Sequence, residues 1–154
     1  MGRNIKAKED KIKIKNITKS EIKECNIQQY PWFSFQYMTK NKTHSLKYLD
    51  SLECTEREKT LKNLFLKLEE LSGSSWLYWL QQPKKTGAET IRYDEIDFLA
   101  DSDANLTRDT PIYIFRFDTY RGNKCGRILG FKKSPCSVLY ILGYDFDFSA
   151  YKHN

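Results

Sequence analysis

Apolar and polar positions alternate in the last third of the chain. Runs rich in β-branched and aromatic residues predict three strands there, at residues 112–117, 127–131 and 138–144. The turn-forming pairs Gly122-Asn123 and Ser134-Pro135 separate the runs. Short connections favour antiparallel neighbours, so this part is expected to form a meander.

The middle of the chain has helical periodicity instead. Leucines spaced three or four positions apart predict a helix over residues 55–72, with Gly73 as its C-cap. Ser74-Ser75 can cap a second helix, which Pro83 ends at or before Gln82. The two helices are expected to form a hairpin.

The sequence patterns in the rest of the chain are shorter. The aromatic run at residues 32–38 predicts a strand, and residues 89–92 a short one. Residues 11–15 alternate Lys with Ile and are either a flexible basic arm or an edge strand. Thr18 and Glu21 have the spacing of a capping box, which predicts a short helix to about Ile27.

The order strand, helix hairpin, antiparallel strands is typical of the α+β class. We therefore expect a helical hairpin packed on a small antiparallel sheet. A length of 154 residues suits a single core. The expected organisation is a basic N-terminal arm at residues 1–17 and a single domain at residues 18–154.

Charge is distributed unevenly along the chain. The formal net charge is +6, with +5 in residues 1–23, −3 in residues 24–110 and +4 in residues 111–154. A polyanion would prefer the two ends. No apolar run approaches the roughly 18 residues that span a membrane, so no membrane association and a cytoplasmic location are expected.

Metal and redox sites lack sequence support, and no cofactor is expected. The four cysteines have no CxxC spacing, and only an oxidising compartment would join Cys125 to Cys136. The acidic residues 94–109 resemble the start of a calcium loop but lack its glycine and closing glutamate, which favours a solvated loop. Asp145 and Asp147, at alternate positions of a strand, are weak candidates for a magnesium site.

Candidate chemistry lies on the C-terminal strands. Arg116 emerges from an apolar strand, and Arg127 can lie beside it on the next. The surrounding basic and tail residues are expected to form a basic bowl: Arg121, Lys124, Lys132, Lys133, Tyr151, Lys152 and His153. Guanidinium groups bind phosphate, and Tyr151 or His153 can transfer a proton. The alternative is that these lysines and arginines are solvated turn residues and Tyr151 closes the core.

A family resemblance follows from local patterns at residues 114–117 (IFRF), 126–131 (GRILGF) and 139–142 (LYIL), with a polar tail after them. With this element order, the chain resembles the RelE/HigB-like toxins of bacterial toxin–antitoxin systems, over roughly residues 32–153 and mainly residues 111–153. The resemblance implies a RelE-like fold, messenger RNA cleavage at the ribosome without a metal, and a cognate antitoxin partner. Arg127 matches an arginine that opens the family's penultimate strand, Arg116 matches less well, and Tyr151 or His153 stands where a tail residue assists proton transfer.

Two further functions remain open. The chain is alternatively a non-catalytic, anti-CRISPR-like inhibitor encoded by a phage or mobile element, which binds nucleic acid or protein, or a housekeeping domain with a stiff aromatic core. The RNA hypothesis requires Arg116 and Arg127 to share a solvent-reachable hollow. Guanidiniums on opposite faces of the sheet, or hidden in ion pairs with local carboxylates, would leave no RNA site.

Overall fold

The computed structural model describes residues 29–122, 124–133 and 137–152. Five strands form one sheet: β1 Trp32–Ser34, β2 Ala88–Arg92, β3 Pro111–Asp118, β4 Cys125–Lys132 and β5 Val138–Asp145. The expected basic arm at residues 1–17, the helix at residues 18–27, the turn at Ser134-Pro135, Cys25, Cys136 and His153 lie outside the described residues.

Two α-helices precede β2, close to the bounds that their sequence predicts, and a 3-10 helix at Leu46–Ser51 lies before them. Helix α1 is Cys54–Ser72, begins with a capping box between Glu53 and Glu56, and ends at Gly73. Helix α2 is Trp76–Gln81, and the Ser75 hydroxyl caps it by accepting from Tyr78 N. The Trp79 indole donates to the Leu71 carbonyl at 2.9 Å, which ties α2 to the end of α1.

The sheet order is β1-β5-β4-β3-β2. From β2 to β5 all neighbours are antiparallel, as the sequence predicts for the last three strands. Strand β1 joins β5 in parallel, with Trp32 opposite Val138. The result is a mixed α and β fold with a mostly antiparallel five-stranded sheet.

Each face of the sheet packs its own core. Side chains that alternate along β3 divide between them: Phe115 and Phe117 pack under α1, whereas Ile112 and Ile114 face the opposite layer. That opposite layer contains loop residues such as Phe98, together with Tyr151 from the C-terminal segment. The side chains of β3 therefore alternate between the two cores.

Two strand predictions need correction. The first strand ends at Ser34 and not at Met38, because the Ser34 hydroxyl accepts from Gln36 N and the chain turns. Strand β5 ends at Asp145, so Asp145 and Asp147 do not occupy alternate positions of one strand.

In the part of the chain that the structure describes, none of the helices has the length and apolar character needed to cross a lipid bilayer. Cys54 and Cys125 are free thiols.

Candidate active site

Arg116 and Arg127 are directly opposite each other on β3 and β4. Directly opposed residues of an antiparallel pair project to the same face, which here is the face away from α1. The expected proximity of the two residues is therefore present. Their environments, however, differ.

Arg127 is sealed inside the protein. Its Nη1 donates to Asp145 Oδ2 at 3.0 Å, and the side chains are 5% and 0% exposed, respectively. The guanidinium carbon lies 4.2 Å from the Phe148 ring centroid and 5.3 Å from that of Tyr151. Because Arg127 is paired with Asp145 and covered by two aromatic rings, a phosphate in solvent cannot reach it. Of the two arginines that the sequence predicts to share a hollow, only Arg116 is accessible to solvent.

The segment after β5 is closed onto this ion pair. Asp145 Oδ1 accepts from Ser149 N at 3.0 Å. Phe148 has φ of 70°, a left-handed conformation that costs a bulky residue of order 1–3 kcal/mol. The strained turn allows the Phe148 ring to stack on Arg127. We name Arg127, Asp145 and Phe148 the buried clamp; it fixes the chain that leads to Tyr151.

Arg116 takes part in a more open network. Its Nη2 donates to Glu89 Oε2 at 3.0 Å, with the two side chains 25% and 13% exposed. The Tyr151 hydroxyl donates to the same oxygen at 3.4 Å. The Lys84 ammonium, on a well-exposed side chain, lies 4.0 Å from Glu89 Oε1. The Arg116 guanidinium and the Tyr151 phenol therefore both donate to one oxygen of the Glu89 carboxylate.

This network forms part of the wall of a cavity of 680 Å³. Its lining combines three cations, four carboxylates and two other residues: Lys84, Arg116, Lys152, Glu89, Asp94, Glu95, Asp97, Ile91 and Tyr151. Two of the carboxylates are held by Arg92, since Asp94 pairs with its Nε at 3.2 Å and Glu95 accepts from its backbone N–H at 2.7 Å. The cavity is therefore of mixed charge and not uniformly basic.

Donor groups in this region have unused capacity. The Nε atoms of Arg116 and Arg127 are buried and have no hydrogen-bond acceptor among the described residues. An unpaired buried donor costs about 1–3 kcal/mol. Both atoms are shielded from solvent, so neither is directly accessible to a ligand in the cavity.

Tyr151 is a neutral hydrogen-bond donor at physiological pH. Burial raises the pKa of its phenol to about 12, and the adjacent Arg127 and Arg116 oppose that rise only in part. The hydroxyl therefore retains its proton until a strongly basic group accepts it.

The described basic residues of the expected bowl lie near both ends of β4. Lys132 ends β4 and Lys133 follows it, whereas Arg121 and Lys124 lie in the turn before the strand, and eight strand residues span roughly 25 Å. Lys132 covers the Trp76 ring, Lys133 donates to the Tyr37 hydroxyl at 2.7 Å, and Arg121 Nε donates to the Tyr120 hydroxyl at 2.7 Å. Of the predicted nucleic-acid contacts, Lys152 lines the cavity.

Metal-binding geometry is absent from the described part of the chain, where no group of three or more His, Cys, Asp or Glu side chains could hold an ion. Asp145 is neutralised by Arg127, and Asp147 accepts from the Ser149 hydroxyl at 2.6 Å. In the acidic loop, Asp101 caps a short 3-10 helix by accepting from Asp103 N.

Sequence reasoning missed Glu89 and Lys84 as site residues. Glu89 is opposite Ile114 in the β2–β3 pairing, and its side chain reaches diagonally to Arg116. The available signal was an acidic residue in a short strand beside a strand that carries an unexplained arginine. The pairing register that connects them is not visible in local patterns.

Comparison with known proteins returned no match, neither among protein-family models, nor among curated proteins, nor among solved structures. The function of the chain is therefore inferred from the geometry of this cavity.

Proposed function

We propose that this protein is a metal-independent endoribonuclease of the RelE-like toxin type, with its active site in the Arg116 cavity. The observation that carries the proposal is the convergence of Arg116 and the Tyr151 hydroxyl on Glu89 Oε2, at 3.0 and 3.4 Å. A base, a cation and a neutral proton donor at one point are the groups that RNA transesterification requires.

In the proposed reaction, Glu89 accepts the proton of a ribose 2′-hydroxyl, and the freed oxygen attacks the adjacent phosphorus. Arg116 compensates the charge that develops on the phosphorane oxygens. The bond from phosphorus to the 5′-oxygen breaks, and this oxygen takes the Tyr151 proton, because an alkoxide is more basic than a phenolate whose pKa is about 12. Glu89 then returns its proton to Tyr151, and the products are a 2′,3′-cyclic phosphate and a 5′-hydroxyl.

Substrate positioning falls to the other lining residues. Lys84 and Lys152 offer mobile positive charge to the flanking phosphates. Asp94, Glu95 and Asp97 repel phosphate, but carboxylates accept hydrogen bonds from the amino groups of bases. In this arrangement the backbone of a single strand lies over the lysines and one base enters the acidic side.

Arg127 has a positioning role in this proposal. The ion-pair condition counts against a direct phosphate contact by Arg127, which Asp145 neutralises, and it counts also against Arg116, which is paired with Glu89. The buried clamp instead holds the Tyr151 ring where its hydroxyl meets Glu89.

Incubation of the protein with single-stranded RNA and with programmed ribosomes, both in excess EDTA, tests the proposal. We expect fragments that end in 2′,3′-cyclic phosphate, and Glu89→Gln should lower kcat about 10²–10⁴-fold because it removes the general base. The exposed helix residue Glu58 provides the matched control, Glu58→Gln, which should cleave at the wild-type rate.

Absence of cleavage on both substrates, or equal cleavage by wild type and Glu89→Gln, would overturn the proposal. A substrate with a 2′-deoxyribose at the cleavage position must remain intact, because the attacking oxygen is then missing.

A non-catalytic inhibitor is the second candidate, and the mixed cavity charge favours it. Four lining carboxylates face three cations, and both strand arginines are already paired. Such a surface suits a protein partner at least as well as a polyanion. Stoichiometric binding to a partner without RNA turnover, retained in Glu89→Gln, would identify this function.

A further inference from the structure

A second cavity, of 580 Å³, adjoins the Arg116 cavity, and both are lined by Asp97. Two loop segments form its walls, residues 39–41 on one side and residues 96–102 on the other. The lining combines a lysine, two carboxylates, small polar side chains and an apolar stretch at residues 98–100. Its volume falls within the roughly 300–1,000 Å³ of sites that bind small molecules.

Hydrogen bonds hold the two walls of this cavity together. Thr39 Oγ1 donates to the Leu99 carbonyl at 2.7 Å, and Asp101 N donates to the Tyr37 carbonyl at 3.5 Å. Thr39 N also donates to the carbonyl of Leu142 in β5 at 2.7 Å, which ties the first wall to the sheet. Because the walls are already fixed, a ligand does not lose affinity to the ordering of a loop.

The chain between the two cavities is paired with the segment that contains Tyr151. Ile96 and Tyr151 form an antiparallel bridge, and Asp97 N donates to the Ala150 carbonyl at 2.7 Å. In the proposed reaction, Tyr151 protonates the 5′-oxygen that leaves, and this oxygen belongs to the nucleotide on the 3′ side of the cleaved bond. The second cavity therefore adjoins the position of that nucleotide.

We propose, on the basis of the proposed ribonuclease function, that the second cavity binds the base that follows the cleaved bond, with the next phosphate beside the Lys40 ammonium. The RNA strand then has a direction, from Lys84 at its 5′ side to Lys40 at its 3′ side. Asp97 and Asp101 repel phosphate and accept hydrogen bonds from base amino groups, so the base and not the backbone enters the cavity. Phe98 adds apolar contact for the base.

The Lys40 ammonium can leave its present partner for a phosphate. It lies 3.7 Å from Asp101 Oδ2, and the Lys40 side chain is 92% exposed. An exposed pair of this kind contributes at most about 1 kcal/mol. Asp101 Oδ1 separately accepts from Asp103 N at 3.0 Å, so this carboxylate keeps a hydrogen bond when the ammonium moves.

Amide NMR spectra of the full-length chain locate a bound strand when the probe is a tetranucleotide whose sugars are all 2′-deoxyribose and which therefore cannot be cut. The Leu99 and Ala100 resonances should shift together with that of Tyr151, because one strand contacts both cavities. A nitroxide at the 3′ end of the probe should broaden Leu99 more than Glu89, and a nitroxide at the 5′ end should do the reverse.

Charge reversal at Lys40 tests the phosphate contact with the same probe. Lys40→Glu should weaken binding about fivefold to tenfold at low salt and reduce the slope of log K against log salt concentration by about 0.7, because one phosphate contact is lost. The matched control is Lys42→Glu, an equal charge change at an exposed residue of the same loop that lies outside the described lining. It should keep the wild-type slope and bind within about twofold of wild type.

Absence of probe binding, or shifts confined to the Arg116 cavity with Leu99 and Ala100 unmoved, would overturn the inference. So would equal losses of affinity in Lys40→Glu and Lys42→Glu, or stronger broadening of Leu99 by the 5′ nitroxide. Because the probe cannot be cut, its binding is measured separately from cleavage. The expected shifts without cleavage of any RNA would overturn the ribonuclease proposal and still support a strand bound across both cavities.

Discussion

Arg127 and Asp145 form an ion pair in a region from which water is excluded. Replacement of the cation alone, in Arg127→Met, leaves the Asp145 carboxylate buried without its counter-charge. We expect the free energy of unfolding to fall by about 3–5 kcal/mol. Urea denaturation of the variant measures this loss.

The double variant Arg127→Met with Asp145→Asn provides the control for this prediction. Its neutral amide oxygen still accepts from Ser149 N, so most of the lost stability should return. If the single and double variants were equally unstable, the loss would come from packing of the arginine against Phe148 and Tyr151 and not from the orphaned charge.

The phenol of Tyr151 supplies a separate residue-scale prediction. Tyr151→Phe removes the proton donor but keeps the ring that covers Arg127. We expect kcat to fall about 10²-fold or more with KM little changed, because the hydroxyl acts only as the leaving oxygen departs. Steady-state cleavage of a defined RNA measures both constants, and an unchanged kcat would remove Tyr151 from the proposed mechanism.

At the scale of elements, β4 is the strand on which the two cores depend. It carries glycine where its neighbours need space, and a Cβ at Gly126 would overlap the Phe117 ring. Gly126→Ala should therefore lower the free energy of unfolding by about 1–3 kcal/mol through overpacking. Urea denaturation checks this, with Lys124→Ala in the adjacent exposed turn as the control, which should stay within about 0.5 kcal/mol of wild type.

The helices and strands also show how much of the fold can be predicted from the sequence. Helix α1 and strands β3 to β5 could be predicted, because each has a local period and turn residues at its ends. The pairing of β1 with β5 could not, since parallel neighbours that are distant in sequence leave no local signal.

Prediction of the site has the same limit. The proximity of Arg116 to Arg127 followed from the meander, but their partners Glu89 and Asp145 depend on register and on the turn after β5. A phenylalanine with positive φ at residue 148 is not an outcome that propensity anticipates. The sequence therefore indicated where the candidate site lies, and it missed which of the predicted side chains are held in ion pairs.

For the whole molecule, buried tyrosines predict the response to alkaline pH. Burial raises the pKa of Tyr144 and of Tyr151 to about 12, above the value of about 10 in an unfolded chain. Above pH 10 the folded protein thus binds more protons than the unfolded chain, so stability falls as the pH rises from about 10 to about 12.

Urea midpoints measured between about pH 9 and about pH 11 should show this decline. Tyr144→Phe removes one of the buried phenols and should make this decline less steep, whereas Tyr30→Phe, at an exposed position, should leave it unchanged. Equal slopes in the three proteins would contradict the assignment to buried phenols.

The parallel contact between Trp32 and Val138 has a consequence for synthesis of the protein. Strand β5 lies between β1 and β4, so the first described strand has no neighbouring strand in the sheet until β5 has left the ribosome. Glu89 and Arg116 are translated before Tyr151, whose segment seals the buried clamp. A nascent chain therefore lacks the proposed catalytic arrangement until the segment that contains Tyr151 has been made.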